Sequence, residues 1–266
     1  LYEQGTFIGS TLYGRQGAEI SRTYEGQPIA SFYGWKTGGV YQTQDQINKD
    51  PNITNDTRKA SIKPGDMIFL DQNGDGIVNE QDRVYLGSPN PDVTYGIQAG
   101  ASYKGFDLSL SFAGVAGVKL YNADRMQGTD PAYPYNMYAE MMGRWHGEGT
   151  SNDIPRVTLN SANQNNRVSD RFIESGAYFS LRNISLGYTI PAALWGRTGI
   201  SDMRVYVAAQ NLFIITDYTG LTPILGYTSG SNSYDSKTND GNRQRGVDVA
   251  AYPQARTITF GATLNF

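Results

Sequence analysis

A chain of 266 residues with 22 basic and 25 acidic side chains has a formal net charge of −3, which excludes the basic footprint of a nucleic-acid binder and a polybasic membrane patch. It has no cysteine, which excludes a disulfide framework and a thiolate metal centre. With 19 tyrosines, 31 glycines and 10 phenylalanines it leans towards strand and turn, and it offers no apolar run of about 18 residues for a membrane helix. A negative mean hydropathy does not exclude a membrane barrel, whose strands alternate lipid-facing and lumen-facing residues. The chain begins at Leu1 without a recognisable signal peptide, so the expectation is a processed chain or a piece of a longer one.

Residues 1–92 read as an extracellular loop region. "PIASFYGW" is apolar and expected to be ordered, whereas "KTGGVYQTQDQINKDPNITNDTRKASIKPGD" is polar and turn-forming. Next comes a twelve-residue segment, 71–82, that matches a calcium-loop template. Asp71 takes position 1, Asn73 position 3, Asp75 position 5, the carbonyl of Ile77 position 7, Asn79 position 9 and Asp82 position 12, with Gly76 at the sharp turn. These hard oxygens are the ligands that Ca²⁺ or Mg²⁺ takes, and an ion there would brace a surface loop. The alternative is a metal-free turn, since Asp, Asn and Gly are also what tight turns are made of. No amphipathic helix flanks the segment.

From Val93 onward the apolar period is two. Val93, Tyr95, Ile97, Ala99, Ala101 and Tyr103 alternate with small or polar residues. After Lys104–Gly105, Phe106, Leu108, Leu110 and Phe112 do the same, which predicts a hairpin. Ile184 to Ile190, Met203 to Ala209 and Ile258 to Phe266 predict three more strands. The alternation drifts near Phe179–Leu181 and Asn211–Phe213, where a bulge or an extension beyond a membrane is expected. The links alternate too: short at 104–105 and 191–201, long at 116–177 and 215–255. Short turns at one end and long loops at the other are the asymmetry of an outer-membrane barrel. The fold class is therefore all-β, with antiparallel strands of a large transmembrane barrel. Five strands cannot close one, because an open edge in lipid leaves backbone groups unsatisfied.

At five places the chain resembles the SusC/RagA-type TonB-dependent outer-membrane transporters of Bacteroidota. These are "GQPIASFYGW" (26–35), "PGDMIFLDQNGDGIVNEQDRVYLGSPNPDVTYG" (64–96), "YFSLRNISLGYTIP" (178–191), "MRVYVAAQNLFIITDYTGLTP" (203–223) and the terminal "YPQARTITFGATLNF". The resemblance implies the C-terminal portion of a 22-stranded plugged barrel whose last five strands lie in 93–266. It implies a Gram-negative outer-membrane location in contact with lipid, and uptake of an oligosaccharide or peptide. The implied partners are a SusD-like surface lipoprotein and the TonB complex, reached through an N-terminal plug that this chain lacks. The terminal aromatic also resembles a barrel-assembly signal.

An enzyme is set aside: the single histidine, His146 in "GRWHGEG", has no identifiable partner and no GxSxG elbow accompanies it. The alternative function is a soluble extracellular β binding module braced by calcium; a surface protein without transport is a further rival. Loop aromatics Tyr133, Tyr135, Tyr138 and Trp145 are candidates for stacking on a ligand or for packing the loop on itself.

Overall fold

A computed structural model describes residues 7–8, 18–133, 135–159, 162–191, 201–225 and 245–265. The chain divides into two compact units, one formed by residues 1–90, 119–174 and 225–251, the other by 91–118, 175–224 and 252–266.

The first unit is built from short elements. Strands β1 (Phe7–Ile8) and β2 (Ala18–Glu19) pair, followed by β3 (Ser21–Arg22), β4 (Ser31–Gly34) and β5 (Thr37–Val40). The polar segment then forms helix α1 (Gln44–Lys49), capped by the Thr43 side chain and tied by Lys49 to Asp45 at 2.7 Å. This helix was not expected. Its one buried residue is Ile47, so the sequence shows no apolar stripe, and the helix is held by its cap and by that single anchor in the core. Strand β6 (Met67–Phe69) pairs with β5. Ile47 joins Val40, Tyr41, Ile53, Ile62, Met67, Phe69 and Val78 in one apolar cluster. Strand β7 (Val84–Gly87) pairs with β4.

The second unit is a sheet of five long strands. They are β8 (Val93–Tyr103), β9 (Phe106–Ala116), β12 (Tyr178–Pro191), β13 (Asp202–Thr216) and β15 (Thr257–Asn265), in the spatial order β15-β13-β12-β9-β8. All neighbours are antiparallel. Between β9 and β12 the chain returns to the first unit through β10 (Lys119–Asn122), α2 (Ala123–Gly128) and β11 (Ile173–Ser175). Between β13 and β15 it does so through β14 (Val247–Asp248), which lies beside β10. The sheet is open, with β8 and β15 as its edges.

All five predicted strands are present, and the drift in alternation is a bulge. The register shifts between Leu181 and Asn183 against both neighbours, and Asn211 opposite has φ +52°, with its side-chain amide donating to the Ala255 carbonyl at 3.2 Å. The extra residue restores Leu181 to the same face as Ile184, which strict alternation would have reversed. Phe266 and most of the link after Pro191 lie outside the described residues.

Candidate functional site

Loop 71–82 runs from the end of β6 to a single 3₁₀ turn, Glu80–Asp82, and the strand β7 beyond it; no α-helix flanks it. Its carboxylates are turned towards its own backbone. Asp71 accepts from the N–H groups of Asn73 (3.1 Å), Gly74 (2.6 Å) and Gly76 (2.6 Å). Asp82, fully buried, accepts from Gln72 (2.9 Å), Asn73 (3.4 Å) and Asn79 (2.7 Å). Asp75 accepts from the Ile77 N–H at 2.8 Å and from the Asn73 amide at 3.0 Å. Asn79 accepts from Gln81 at 2.7 Å and completes a capping box with Asp82. Desolvation pushes the Asp71 carboxyl up, but the N–H donors of Gly76 and Gly74, the Asp82 side chain and the Asn73 N–H outweigh it and hold it below the usual carboxylate range.

The loop is also pinned from outside. Asn55 donates through its backbone to the Gly76 carbonyl (2.9 Å) and through its side chain to the Asp75 carbonyl (2.7 Å). Gly76 has φ +78°, and a Cβ there would come within 2.9 Å of the Asn55 amide, so the close approach needs glycine. Trp35 donates its indole N–H to the Asn79 carbonyl at 2.8 Å.

The structure gathers Asp71, Asn73, Asp75, Ile77, Asn79 and Asp82 into one turn. Each side-chain oxygen of the set accepts at least one hydrogen bond from the loop, and an oxygen so engaged still keeps lone-pair capacity that a hard cation could use. Among the described residues no group of three or more His, Cys, Asp or Glu side chains is placed to hold a metal ion.

A feature that the sequence did not reveal lies beside the loop. Arg22, Tyr33, Arg83, Trp35, Arg167 and Phe69 alternate as cation and ring. The guanidinium of Arg22 is 4.2 Å from the Tyr33 ring; that of Arg83 is 5.1 Å from Tyr33 and 5.0 Å from Trp35; that of Arg167 is 4.9 Å from Trp35 and 4.2 Å from Phe69. Glu19 pairs with Arg22 and, at 3.0 Å, with Arg83. Burial, with the Arg58 charge behind it, pushes the Arg167 guanidinium down to about 10, so it remains charged at neutral pH between its two rings.

The sheet of the second unit has two unlike faces. On one, register brings together Ala99, Leu110, Ile184, Ala209 and Ile258, and next to them Ala101, Leu108, Leu186, Val207 and Phe260. Tyr103, Phe106 and Tyr188 form the row at the hairpin end, and Tyr95 and Phe179 a row at the other, one step beyond Phe112. Rings meet in both places: Phe106 and Tyr188 at 4.5 Å, Phe112 and Phe179 at 5.2 Å. This face is open, with Phe260 81% and Ile258 57% exposed. The opposite face carries Gln98, Ser111, Asn183, Gln210 and Thr257 in one row and Gly100, Ser109, Ser185, Ala208 and Thr259 in the next. Arg204 crosses it to Asp107 at 2.6 Å over Gly187, where a Cβ would sit 2.5 Å from both side chains.

The loop aromatics separate. Trp145 packs against the apolar cluster and donates to Gln42 at 3.1 Å, whereas Tyr133, Tyr135 and Tyr138 surround a hollow beside α2. His146 is exposed, its Nδ1 3.0 Å from the Arg144 carbonyl.

An antiparallel sheet with one apolar face, one polar face and long returns from a single end is the class of sheet from which large β-barrels are built. Comparison with known proteins says which: over most of its length the chain is homologous to TonB-dependent receptors of the SusC/RagA type. It is 33% identical over 243 residues to TonB-dependent receptor P3 of Formosa agariphila, covering 91% of this chain and 22% of that protein. To TonB-dependent receptor P26 of the same organism it is 30% identical, covering 94% and 24%. To TonB-dependent receptor SusC of Bacteroides thetaiotaomicron it is 26% identical, covering 97% and 22%. Among solved structures the fold matches the RagAB peptide importer in its closed-closed state, with TM-score 0.64 at 22% identity over 93% of this chain and 24% of that one. It also matches the RagAB peptide transporter, with TM-score 0.62 at 22% identity over 90% and 23%. No protein-family model matches the chain. The chain thus spans under a quarter, 22–24%, of the curated relatives named here. Those relatives are receptors for transport and not enzymes.

Proposed function

We propose that this chain is the C-terminal part of a TonB-dependent outer-membrane importer, and that its five long strands cross the membrane as part of a 22-stranded plugged barrel. The observation that carries this reading is the pair of aromatic rows bracketing the apolar face. Tyr95 and Tyr103 mark its two ends on β8. Eight residues at about 3.3 Å each separate them by roughly 27 Å along the strand, or roughly 20 Å of depth at a tilt near 40°. That is close to the apolar band of about 25 Å flanked by aromatic girdles in outer-membrane barrels. Lys104, in the hairpin turn, holds its ammonium 5.2 Å from the Tyr103 ring, as an interfacial lysine does. A soluble calcium-braced module would leave this face in water, roughly 650 Å² in projection, more than the largest patch of a typical monomer. Among the described residues no helix is long and apolar enough to cross a membrane, which says nothing about strands.

On this reading the face with Ser109, Ser185 and the Asp107–Arg204 pair lines the lumen, and the returns at 116–177 and 215–255 lie outside the cell. The cargo class is oligosaccharide or peptide, and a SusD-like lipoprotein and the TonB complex are the partners. Homology to SusC and the fold likeness to RagAB support the assignment. Single cysteines at 257–265 of the complete receptor, labelled from water, should react with period two: Thr257, Thr259 and Gly261 through the lumen, Ile258 and Phe260 only from lipid. Uniform labelling would remove the facing.

Loop 71–82 acts as a brace closed by its own N–H donors. A Ca²⁺ or Mg²⁺ ion held by Asp71, Asn73, Asp75, the Ile77 carbonyl, Asn79 and Asp82 is the second reading, favoured by the gathering of those residues in one turn. Calorimetric titration decides between them.

A further inference from the structure

The hollow beside α2 belongs to none of the features above. Asn122 caps the helix by accepting from the Arg125 N–H at 2.8 Å, and at the other end the chain folds back so that the Tyr138 N–H donates to the Gly128 carbonyl at 2.8 Å. The Tyr138 ring lies on Gly128, where a Cβ would come within 2.6 Å of it. The result is a cavity of about 150 Å³ lined by Asp124, Gln127, Asp130, Tyr133, Tyr135 and Tyr138 among others, with no Lys or Arg among the described residues of its wall. The Tyr133 and Tyr135 rings stand 5.7 Å apart, and Tyr135 is 72% exposed, held out as an open face.

The charge is one-sided. Asp124 binds the Tyr138 hydroxyl through Oδ2 and has no ion-pair partner among the described residues, whereas nearby Arg125 is engaged by Glu140 at 3.0 Å and Glu174 at 3.3 Å. Burial pushes the Tyr138 phenol up to about 12, with its bond to Asp124 and the charges of Asp124, Asp248 and Glu140 adding to it, so three carboxylates contribute a negative potential at the ring. Tyrosine faces add their own negative quadrupole. A neutral sugar would use the rings and leave that potential uncompensated; a compact organic cation uses both.

We propose that this hollow is a binding site for a monovalent organic cation, an ammonium or guanidinium group such as a lysine or arginine side chain, seated on Tyr133 and Tyr135 and paired with Asp124. The site stands on its own geometry and does not need the importer reading. If that reading holds, it would favour basic peptides among the possible cargoes.

The test is titration of the complete receptor in detergent with Nα-acetyl-lysine methylamide and Nα-acetyl-arginine methylamide, followed by tyrosine fluorescence. Nα-acetyl-norleucine methylamide, free butylamine and methyl glucoside serve as controls. The cationic probes should bind at least about ten-fold more tightly than norleucine or glucoside and weaken with added salt. Asp124→Asn should lose about five- to ten-fold, and the exposed Tyr135→Ala about two- to five-fold, as cation–π contacts at open sites are worth. Butylamine as tight as the lysine probe would assign the site to free amines, and weaker binding would assign it to peptide side chains. Equal binding of the neutral probes, absence of binding, or indifference to both variants would overturn the site, while transport and period-two labelling, measured separately, would leave the importer reading untouched.

Discussion

An arginine placed on the apolar face should damage the protein according to its depth, and only on that face. Ile258 lies in the row of Ala99, Leu110, Ile184 and Ala209, two rows from Tyr103 and two from Tyr95, and so at the middle of the span between the girdles. An arginine at the midplane of a barrel costs about 2–4 kcal/mol, falling to about 0–1 near the interfaces. Ile258→Arg should therefore reduce folding into lipid vesicles by roughly 30- to 1,000-fold at equilibrium, since each 1.4 kcal/mol or so is ten-fold. Phe260→Arg, one row nearer the hairpin end, should cost less, about 1–3 kcal/mol on the same depth profile. Thr259→Arg sits between them in sequence but beside Ala208 and Ser185 on the opposite face, and should cost under about 0.5 kcal/mol. The assay is refolding of the complete receptor into vesicles at graded urea, read by gel mobility and protease protection. Equal damage from Ile258→Arg and Thr259→Arg would refute the facing, and equal damage from Ile258→Arg and Phe260→Arg would refute the depth.

Asp82→Ala removes the acceptor of three backbone N–H groups, two of them on exposed residues that water can serve, so a loss of about 2–4 kcal/mol is expected. Amide exchange at Gln72, Asn73 and Asn79 should rise correspondingly, to the same extent with chelator or with millimolar calcium. In calorimetry the complete receptor and Asp75→Ala should give indistinguishable calcium isotherms; heat present in the first and absent in the second would establish the metal site. Trp35→Ala removes the ring between Arg83 and Arg167 and should cost about 3–5 kcal/mol, whereas Arg167→Met, which keeps volume between Trp35 and Phe69, should cost clearly less. Asp56 is desolvated, yet its bonds from Arg58 outweigh that and hold its carboxyl low, as the loop N–H donors do for Asp71. A folded pKa below the unfolded value of about 3.9 stabilises above that pH and is lost as pH falls through the folded value, so loop 71–82 should loosen only below about pH 4. Exchange measured between pH 3 and 7 checks this, and loosening near pH 6 would contradict it.

How much was legible in the sequence follows from what each feature depends on. The five long strands depend on a local period of two, so Val93–Tyr103 or Ile258–Leu264 announce themselves residue by residue. The bulge at Arg182 was legible as a drift, but only register shows that it returns Leu181 to the apolar face. The aromatic rows need register too, because Tyr103, Phe106 and Tyr188 come from three strands. Helix α1 hid because Ile47 is its sole core contact. The arginine ladder hid because Arg22, Arg83 and Arg167 are far apart in the chain and each looks like an ordinary surface cation. For loop 71–82 the spacing found the turn, but the direction in which its carboxylates point is a matter of hydrogen bonds that spacing does not encode.

The most direct test of the importer reading is the coding sequence upstream of Leu1. A part of a plugged barrel requires a signal peptide, a plug domain and some fifteen or more preceding strands in the same open reading frame. A translation start near Leu1 would contradict it, because five strands with open edges at β8 and β15 cannot close in lipid.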